Sequence, residues 1–397
     1  MSAPDDPSTG TTGGWPGWFA ATARAIHDAG RWRRVEPFDA TGPAGEAADG
    51  RRLVSFASND YLGLTHHPAT IAAAHAALDR WGTGSGASRL IVGSRPVHHD
   101  LEEALAAWRG TEAALVFPTG FAANLGTLAA LSDHEAAVLS DERNHASIID
   151  GCRLAAARGA HVAVYRHGDL DHLDRLLADV VADGRRPLVV TDTVFSMDGD
   201  EAPLGDLVGR CAAHGAALVL DEAHAVLGPE VPADADAALS AGGGALVRVG
   251  TLSKALGSLG GFVAASRAVI DLLVNQARPF IFTTAPTPAD SAAGLAAVDL
   301  VRGPEGERRR DVLRRHITTL APGHPSPILP VIVGDERAAL HAAAALADRG
   351  LLVPAIRPPT VAPGSCRLRV ALSAAHTDEQ VASLGEALTD LGLTVRP

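Results

Sequence analysis

The chain has 397 residues, 47% apolar and only 4% aromatic, with a formal net charge of −12. That length accommodates one large and one smaller domain, and the acidic balance excludes the concentrated basic surface of broad nucleic-acid binding. Three scattered cysteines (Cys152, Cys211, Cys366) exclude a disulfide framework or zinc site and fit a reducing cytoplasm, and neither a secretory signal nor a membrane span is read in the sequence.

In chain order, residues 1–14 read as a disordered polar tail. Trp15 to Arg34 predicts an amphipathic helix, and a Gly- and Ala-rich connection runs on to about Gly50, so residues 15–60 form an N-terminal helix and linker. Pro68–Trp81 and Val97–Trp108 predict two further helices. Short continuous apolar runs then recur at 114–117, 136–139, 161–165, 187–191, 216–220, 246–249 and 262–264, several separated by helical stretches. Runs this continuous suit strands covered on both faces, so residues 61–286 predict an α/β domain on a mainly parallel seven-stranded sheet. Beyond Pro286 a long helical stretch leads to strands near 328–333 and 368–372, flanked by helices at 336–349 and 378–391. Residues 287–397 thus predict a smaller α+β domain.

Two familiar patterns fail their context. Asp221-Glu222-Ala223-His224 spells a helicase box, but no phosphate-binding Gly-x-x-x-x-Gly-Lys loop accompanies it. The loop from Gly82 to Gly86 follows a helix rather than a strand, so it is no dinucleotide fingerprint.

Lysine is the telling residue. Of 34 basic residues Lys254 is the single lysine. Surface cations exchange freely, whereas a site needing an amine that can lose its proton cannot take Arg. Lys254 follows the run 246–249, and Asp221 ends the neighbouring run 216–220, where open α/β sheets bind ligands. An acid and a unique amine at adjacent strand ends suit pyridoxal phosphate, whose aldehyde takes the amine and whose ring nitrogen needs a carboxylate. Thr119-Gly120-Phe121 opens a helix after another strand, which offers free N–H groups to a phosphate; Thr251 and Ser253 add hydroxyls. His145 and Ser196 follow two further strands, and His145 stands where it could stack on the ring.

With Ser58-Asn59-Asp60-Tyr61-Leu62-Gly63, Asn144-His145-Ala146-Ser147, Asp221-Glu222-Ala223-His224 and Thr251-Leu252-Ser253-Lys254 in this order, the chain from about residue 15 onward resembles the α-oxoamine synthases. These fold-type-one pyridoxal-phosphate enzymes condense an amino acid with an acyl thioester and release carbon dioxide. The resemblance implies a Schiff base on Lys254, Asp221 on the ring nitrogen, His145 stacked on the ring, and Ser196 and His224 at its phenolic oxygen. It assigns phosphate to Gly120, Phe121 and Thr251, with Thr283 or Thr284 from a second subunit, hence a homodimer. Asn59 and Arg369 would hold the amino-acid carboxylate, Thr360 would lie near the acyl chain, and Arg33 matches a substrate arginine. The stretch Ala355 to Val361 ahead of Arg367-Leu368-Arg369 resembles the branch joining L-alanine to a pimeloyl thioester of coenzyme A or an acyl carrier protein. Glycine C-acetyltransferase and 5-aminolevulinate synthase are the rival branches, and a non-catalytic cofactor-binding regulator is the rival of another class. One departure is Ala225, where relatives commonly carry Gly.

Overall fold

The computed structural model describes residues 14–395, so the expected tail lies, save for Gly14, outside the described residues. Helix α1 (Trp15–Asp28) ends before the predicted Arg34. Gly30 takes a left-handed turn at φ 67°, and the N–H groups of Gly30 and Arg31 fold back onto the carbonyls of His27 and Ile26. None of the helix's residues is buried.

The expected linker contains an antiparallel meander of β1 (Phe38–Ala40), β2 (Ala44–Ala47) and β3 (Arg52–Ser55). Its Ala, Gly, Asp and Glu residues carry little strand propensity, which is why the sequence reads as a connection. Helices α2 (Pro68–Trp81) and α3 (Pro96–Arg109) follow as predicted, each with proline in its first turn.

All seven expected strands form one sheet. They are β4 (Ala113–Phe117), β5 (Ala136–Asp141), β6 (His161–Tyr165), β7 (Arg186–Asp192), β8 (Ala217–Asp221), β9 (Leu246–Thr251) and β10 (Gly261–Ala265). Their order is β4-β10-β9-β8-β7-β5-β6, and only β10 runs against its neighbours. Helices α4 (Gly120–Ala130), α5 (Ala146–Ala157), α6 (Leu170–Ala182), α7 (Leu204–Ala213) and α8 (Ala235–Ala241) make the crossovers. Every residue of β4, β5 and β10 is buried, the cause of their unbroken apolar runs. The register sets Asp192 at the end of β7 directly beside Asp221 at the end of β8.

After α9 (Arg267–Gln276) and α10 (Arg278–Ile281), the long helical stretch divides at Gly303 into α11 (Pro288–Arg302) and α12 (Pro304–Leu320). An antiparallel sheet β11-β14-β13 follows, from β11 (Ile328–Gly334), β13 (Ala355–Ile356) and β14 (Cys366–Ala371), with α13 (Glu336–Ala347) and α14 (Asp378–Asp390). The two-residue strand β12 (Leu351–Leu352) pairs in parallel with β3, so the early meander and the C-terminal region share a sheet. One hydrophobic core joins Phe56, Leu101 and Phe262 to Ile328, Leu368 and Leu384. No helix is long and apolar enough to cross a membrane among the described residues. All three cysteines are buried and unpaired.

Candidate active site

The carboxyl ends of β7, β8 and β9 and the start of α4 enclose a cleft of about 230 Å³, lined by Gly120, Phe121, His145, Asp221, Thr251 and Lys254 among others. Asp221 sits at its floor, buried and tightly held. Asn124 Nδ2 donates to one oxygen at 2.6 Å and the Ala223 N–H to the other at 2.9 Å. Asn124 also donates to Ser147 Oγ at 2.9 Å, and Ser147 Oγ lies 2.7 Å from His145 Nδ1. The Ser147 N–H donates to the same ring nitrogen, so His145 carries its proton on Nε2 when neutral. Burial lowers its pKa and Lys254 lowers it further, against the pull of Asp221, which favours that neutral form. Phe121 meets the ring edge-on at 6.4 Å.

A second chain of hydrogen bonds ties the amine to the far side of the cleft. Lys254 Nζ lies 2.8 Å from His224 Nε2, and His224 Nδ1 lies 2.7 Å from the Tyr61 hydroxyl. Tyr61 donates to Asn59 Oδ1 at 3.0 Å, which also accepts Arg369 Nη2 at 3.1 Å. Arg369 Nε donates to the Ser196 carbonyl at 2.6 Å. Burial, then the charges of Lys254 and Arg369, push His224 well below its ordinary range, so the imidazole is neutral and accepts from the amine. Burial likewise lowers Lys254 to about 8, although Asp221 and Asp192 pull it up. A lysine tuned this way can give up its proton near neutral pH. The turn beyond it needs Gly257: at φ 60° it runs so close to the chain that a Cβ would sit 2.4 Å from Thr65 N.

At the start of α4, Thr119 spends its hydroxyl and carbonyl on the N–H groups of Ala122 and Ala123. That leaves the N–H groups of Gly120 and Phe121 for an anion. Thr251 crosses close by, and a Cβ on Gly120 would come 3.2 Å from its own. Thr251 Oγ1 shares a 2.7 Å contact with Ser253 Oγ and donates to the Gly260 carbonyl.

The structure thus gathers Lys254, Asp221, His145, His224, Gly120, Phe121 and Thr251 around one cleft, with Asn59, Ser196 and Arg369 linked to it by hydrogen bonds. Ser196 is joined through its carbonyl, not its hydroxyl. Thr283 and Thr284 are exposed and do not line the cleft of their own chain. Arg33 and Thr360 are also exposed and outside it, although Arg357 donates to the Gly30 carbonyl and so brings their segments together. Ala225 needs no glycine, because no non-glycine residue among those described has a positive φ. Arg367, the other arginine on this face of β14, is already paired with Asp198, whereas among the described residues no hydrogen bond engages Arg369 Nη1. Reading by motif passed over Tyr61, Asn124 and Asp192 as working parts. Tyr61 and Asn124 stood inside quoted motifs, and Asp192, like Asp221, is an acid that closes an apolar run.

A held carboxylate, a single tuned amine and a helix start with unspent donors match the ring nitrogen, aldehyde and phosphate of pyridoxal 5′-phosphate. Fold and site together define a fold-type-one pyridoxal-phosphate enzyme. The family model for class I and II aminotransferases matches residues 51–388. An 8-amino-7-oxononanoate synthase of Methylobacterium sp. (strain 4-46) is 49% identical, the match covering 94% of this chain and 96% of that one. One from Anaeromyxobacter dehalogenans (strain 2CP-1) is 48% identical with the same coverage. Among solved structures, Sphingomonas wittichii serine palmitoyltransferase superposes with a TM-score of 0.82 at 30% identity, covering 94% of this chain and 97% of that one. The 8-amino-7-oxononanoate synthase from Francisella tularensis gives 0.68 at 25% identity, covering 86% and 98%. The chain belongs to the class I and II aminotransferase family, in its 8-amino-7-oxononanoate synthase branch. Its cofactor is pyridoxal 5′-phosphate.

Proposed function

We propose that this enzyme condenses L-alanine with a pimeloyl thioester, releasing carbon dioxide and a free thiol carrier, to give the biotin precursor 8-amino-7-oxononanoate. The observation that carries this is the 49% identity to a synthase of that name over nearly the whole of both chains. Bound in the cleft, pyridoxal phosphate supplies an aldehyde for amine linkage and a ring that accepts electrons from the amino-acid α-carbon. Lys254 provides the amine, and Asp221, fixed by Asn124 and the Ala223 N–H, keeps a proton on the ring nitrogen. His145 would stack on the ring, His224 and the Ser196 hydroxyl would address its phenolic oxygen, and Gly120, Phe121 and Thr251 would hold the phosphate.

Arg369 and Asn59 grip the alanine carboxylate, for which Arg369 Nη1 stands open. Lys254 would remove the α-proton, a task that its lowered pKa suits. The α-carbon bonds to the thioester carbonyl carbon, and the C–S bond breaks as thiol departs. His145 Nε2–H faces the carbonyl oxygen as charge builds there. Loss of the carboxylate as carbon dioxide leaves the α-carbon to regain a proton from Lys254. Arg33 and Thr360, on adjoining segments, meet the thioester and its acyl chain.

Incubation of alanine, glycine or serine with pimeloyl, acetyl, succinyl or palmitoyl thioesters decides the reading through thiol release and product mass. Alanine with pimeloyl thioester is expected to be turned over fastest; preference for serine with palmitoyl, or glycine with acetyl or succinyl, would overturn it.

The homodimer follows from the same reading. Ile91, Val92 and Phe282 are 73%, 70% and 68% exposed, and the Ser88–Thr284 bridge holds their segments together. An apolar patch of this kind marks an interface, and it adjoins Thr283 and Thr284, which reach the phosphate of a second subunit. Light scattering of the holoenzyme is expected to give about twice the 40.7 kDa chain mass. A fully active monomer would count against it.

A further inference from the structure

The mechanism leaves unused a half-buried histidine beyond β6. Both ring nitrogens of His167 face carboxylates: Nδ1 lies 3.0 Å from Asp141 Oδ1 and Nε2 2.6 Å from Asp200 Oδ2. A neutral imidazole has one N–H, so bridging two carboxylates takes the doubly protonated ring. Burial opposes that charge, yet the hydrogen bonds and charges of Asp141 and Asp200 push His167 up to about 9. Asp141, which ends β5, is further held by the N–H groups of Arg143 and Gly168. Asp200 has no such support. Its second oxygen is buried without a partner, so among the described residues His167 supplies its only side-chain hydrogen bond. Other charged or titratable groups nearby include Glu142, which accepts the His167 N–H, Arg143, which pairs with Asp198 and whose charge reaches Asp200, Glu201 next to Asp200, the Arg166–Asp169 pair flanking His167, and Tyr165 and Asp192, which feel Asp141. Phe195 closes the ring's face edge-on at 4.4 Å.

What this clamp holds leads to the active site. Residues 193–202 close into a small hairpin, with Phe195 N–H on the Asp200 carbonyl and Ala202 N–H on that of Thr193, both at 2.9 Å. At one end His167 grips Asp200. At the other the hairpin meets both arginines of β14: Ser196 offers its carbonyl to Arg369 Nε, and Asp198 pairs with Arg367.

We propose that His167 is a positioning residue for amino-acid recognition: its imidazolium locks Asp200 to Asp141, fixes the 193–202 hairpin, and so aims Arg369 through the Ser196 carbonyl. The inference rests on the reading of Arg369 as the carboxylate-binding arginine. A histidine with a raised pKa contributes fully below its ordinary value of 6.5, and the contribution is lost as pH rises through about 9. Alanine affinity therefore carries a component that falls near pH 9.

The test uses holoenzyme variants, with alanine affinity read by spectral titration and thioester KM read by turnover. Arg369→Ala is expected to weaken alanine binding by roughly ten- to a hundredfold, the loss of a charged hydrogen-bonded pair. His167→Ala and the near-isosteric Asp200→Asn should each weaken it by roughly tenfold. Their double variant should be no worse than the poorer single, since one contact is removed twice. Thioester KM should stay unchanged, and the gap in alanine affinity between wild type and the variants should close as pH rises past about 9, where wild type loses the same contact. Additive losses, equal damage to both substrates, or a gap from wild type that persists undiminished above about pH 9 would overturn the clamp. Normal alanine affinity in His167→Ala beside a defective Arg369→Ala would sink the clamp alone. Normal affinity in Arg369→Ala would sink the assignment beneath it.

Discussion

Lys254→Arg is expected to abolish turnover while leaving the fold intact. The substitution keeps the positive charge and most of the stem, but a guanidinium stays charged at any working pH and cannot serve as the amine. Burial has already brought Lys254 to about 8, and its Nζ sits 2.8 Å from the neutral His224 ring that accepts from it. Arginine would bring a permanent charge into the same space and enter no proton transfer. Loss of that transfer alone costs roughly 10²- to 10⁴-fold, and loss of the covalent link adds to it. Because the chain has a single lysine, borohydride reduction of wild-type holoenzyme should fix one phosphopyridoxyl group per chain. Peptide mass mapping should place it between Thr251 and Gly257. A label found only on the α-amino terminus, or a variant retaining full turnover, would remove the basis of the mechanism.

The central sheet was legible in the sequence because its strands are covered on both faces and therefore read as unbroken apolar runs, as Ala113–Phe117 and Gly261–Ala265 show. The meander at 38–55 was not, since Ala44-Gly45-Glu46-Ala47 has neither propensity nor alternation, and β3 finds its parallel partner in Leu351-Leu352 near the other end of the chain. The same division runs through the site. Lys254 and Asp221 announced themselves, a unique amine and an acid each following an apolar run. Tyr61 and Asn124 act only through what they touch, His224 and Asp221, and no spacing encodes those contacts. His167 shows this most plainly: its role depends on Asp141 and Asp200, brought to it from the end of β5 and from the hairpin beyond β7. Arg33, Thr283, Thr284 and Thr360 entered by family resemblance alone, and a single chain leaves them outside the cleft.

Asp221→Asn should lower turnover by roughly 10²- to 10³-fold, the scale seen when one preorganised electrostatic partner of a reacting centre is removed. The side chain would keep its shape but lose the charge proposed to hold a proton on the ring nitrogen. It also disturbs a tight local arrangement. Asp221 accepts from both Asn124 Nδ2 and the Ala223 N–H, and an amide has only one accepting oxygen, so one of those donors would lose its partner. A second readout separates charge from shape. Asp221 is the largest influence raising the Lys254 pKa against burial, so its neutralisation should let that pKa fall below about 8. The pH dependence of cofactor linkage by the apoenzyme should therefore shift downward in Asp221→Asn. Asp221→Glu retains the charge, so its profile should stay close to wild type even if its turnover suffers from the longer stem. An unshifted profile in Asp221→Asn would mean that the carboxylate does not act on the amine. Wild-type turnover would mean that it does not serve the ring.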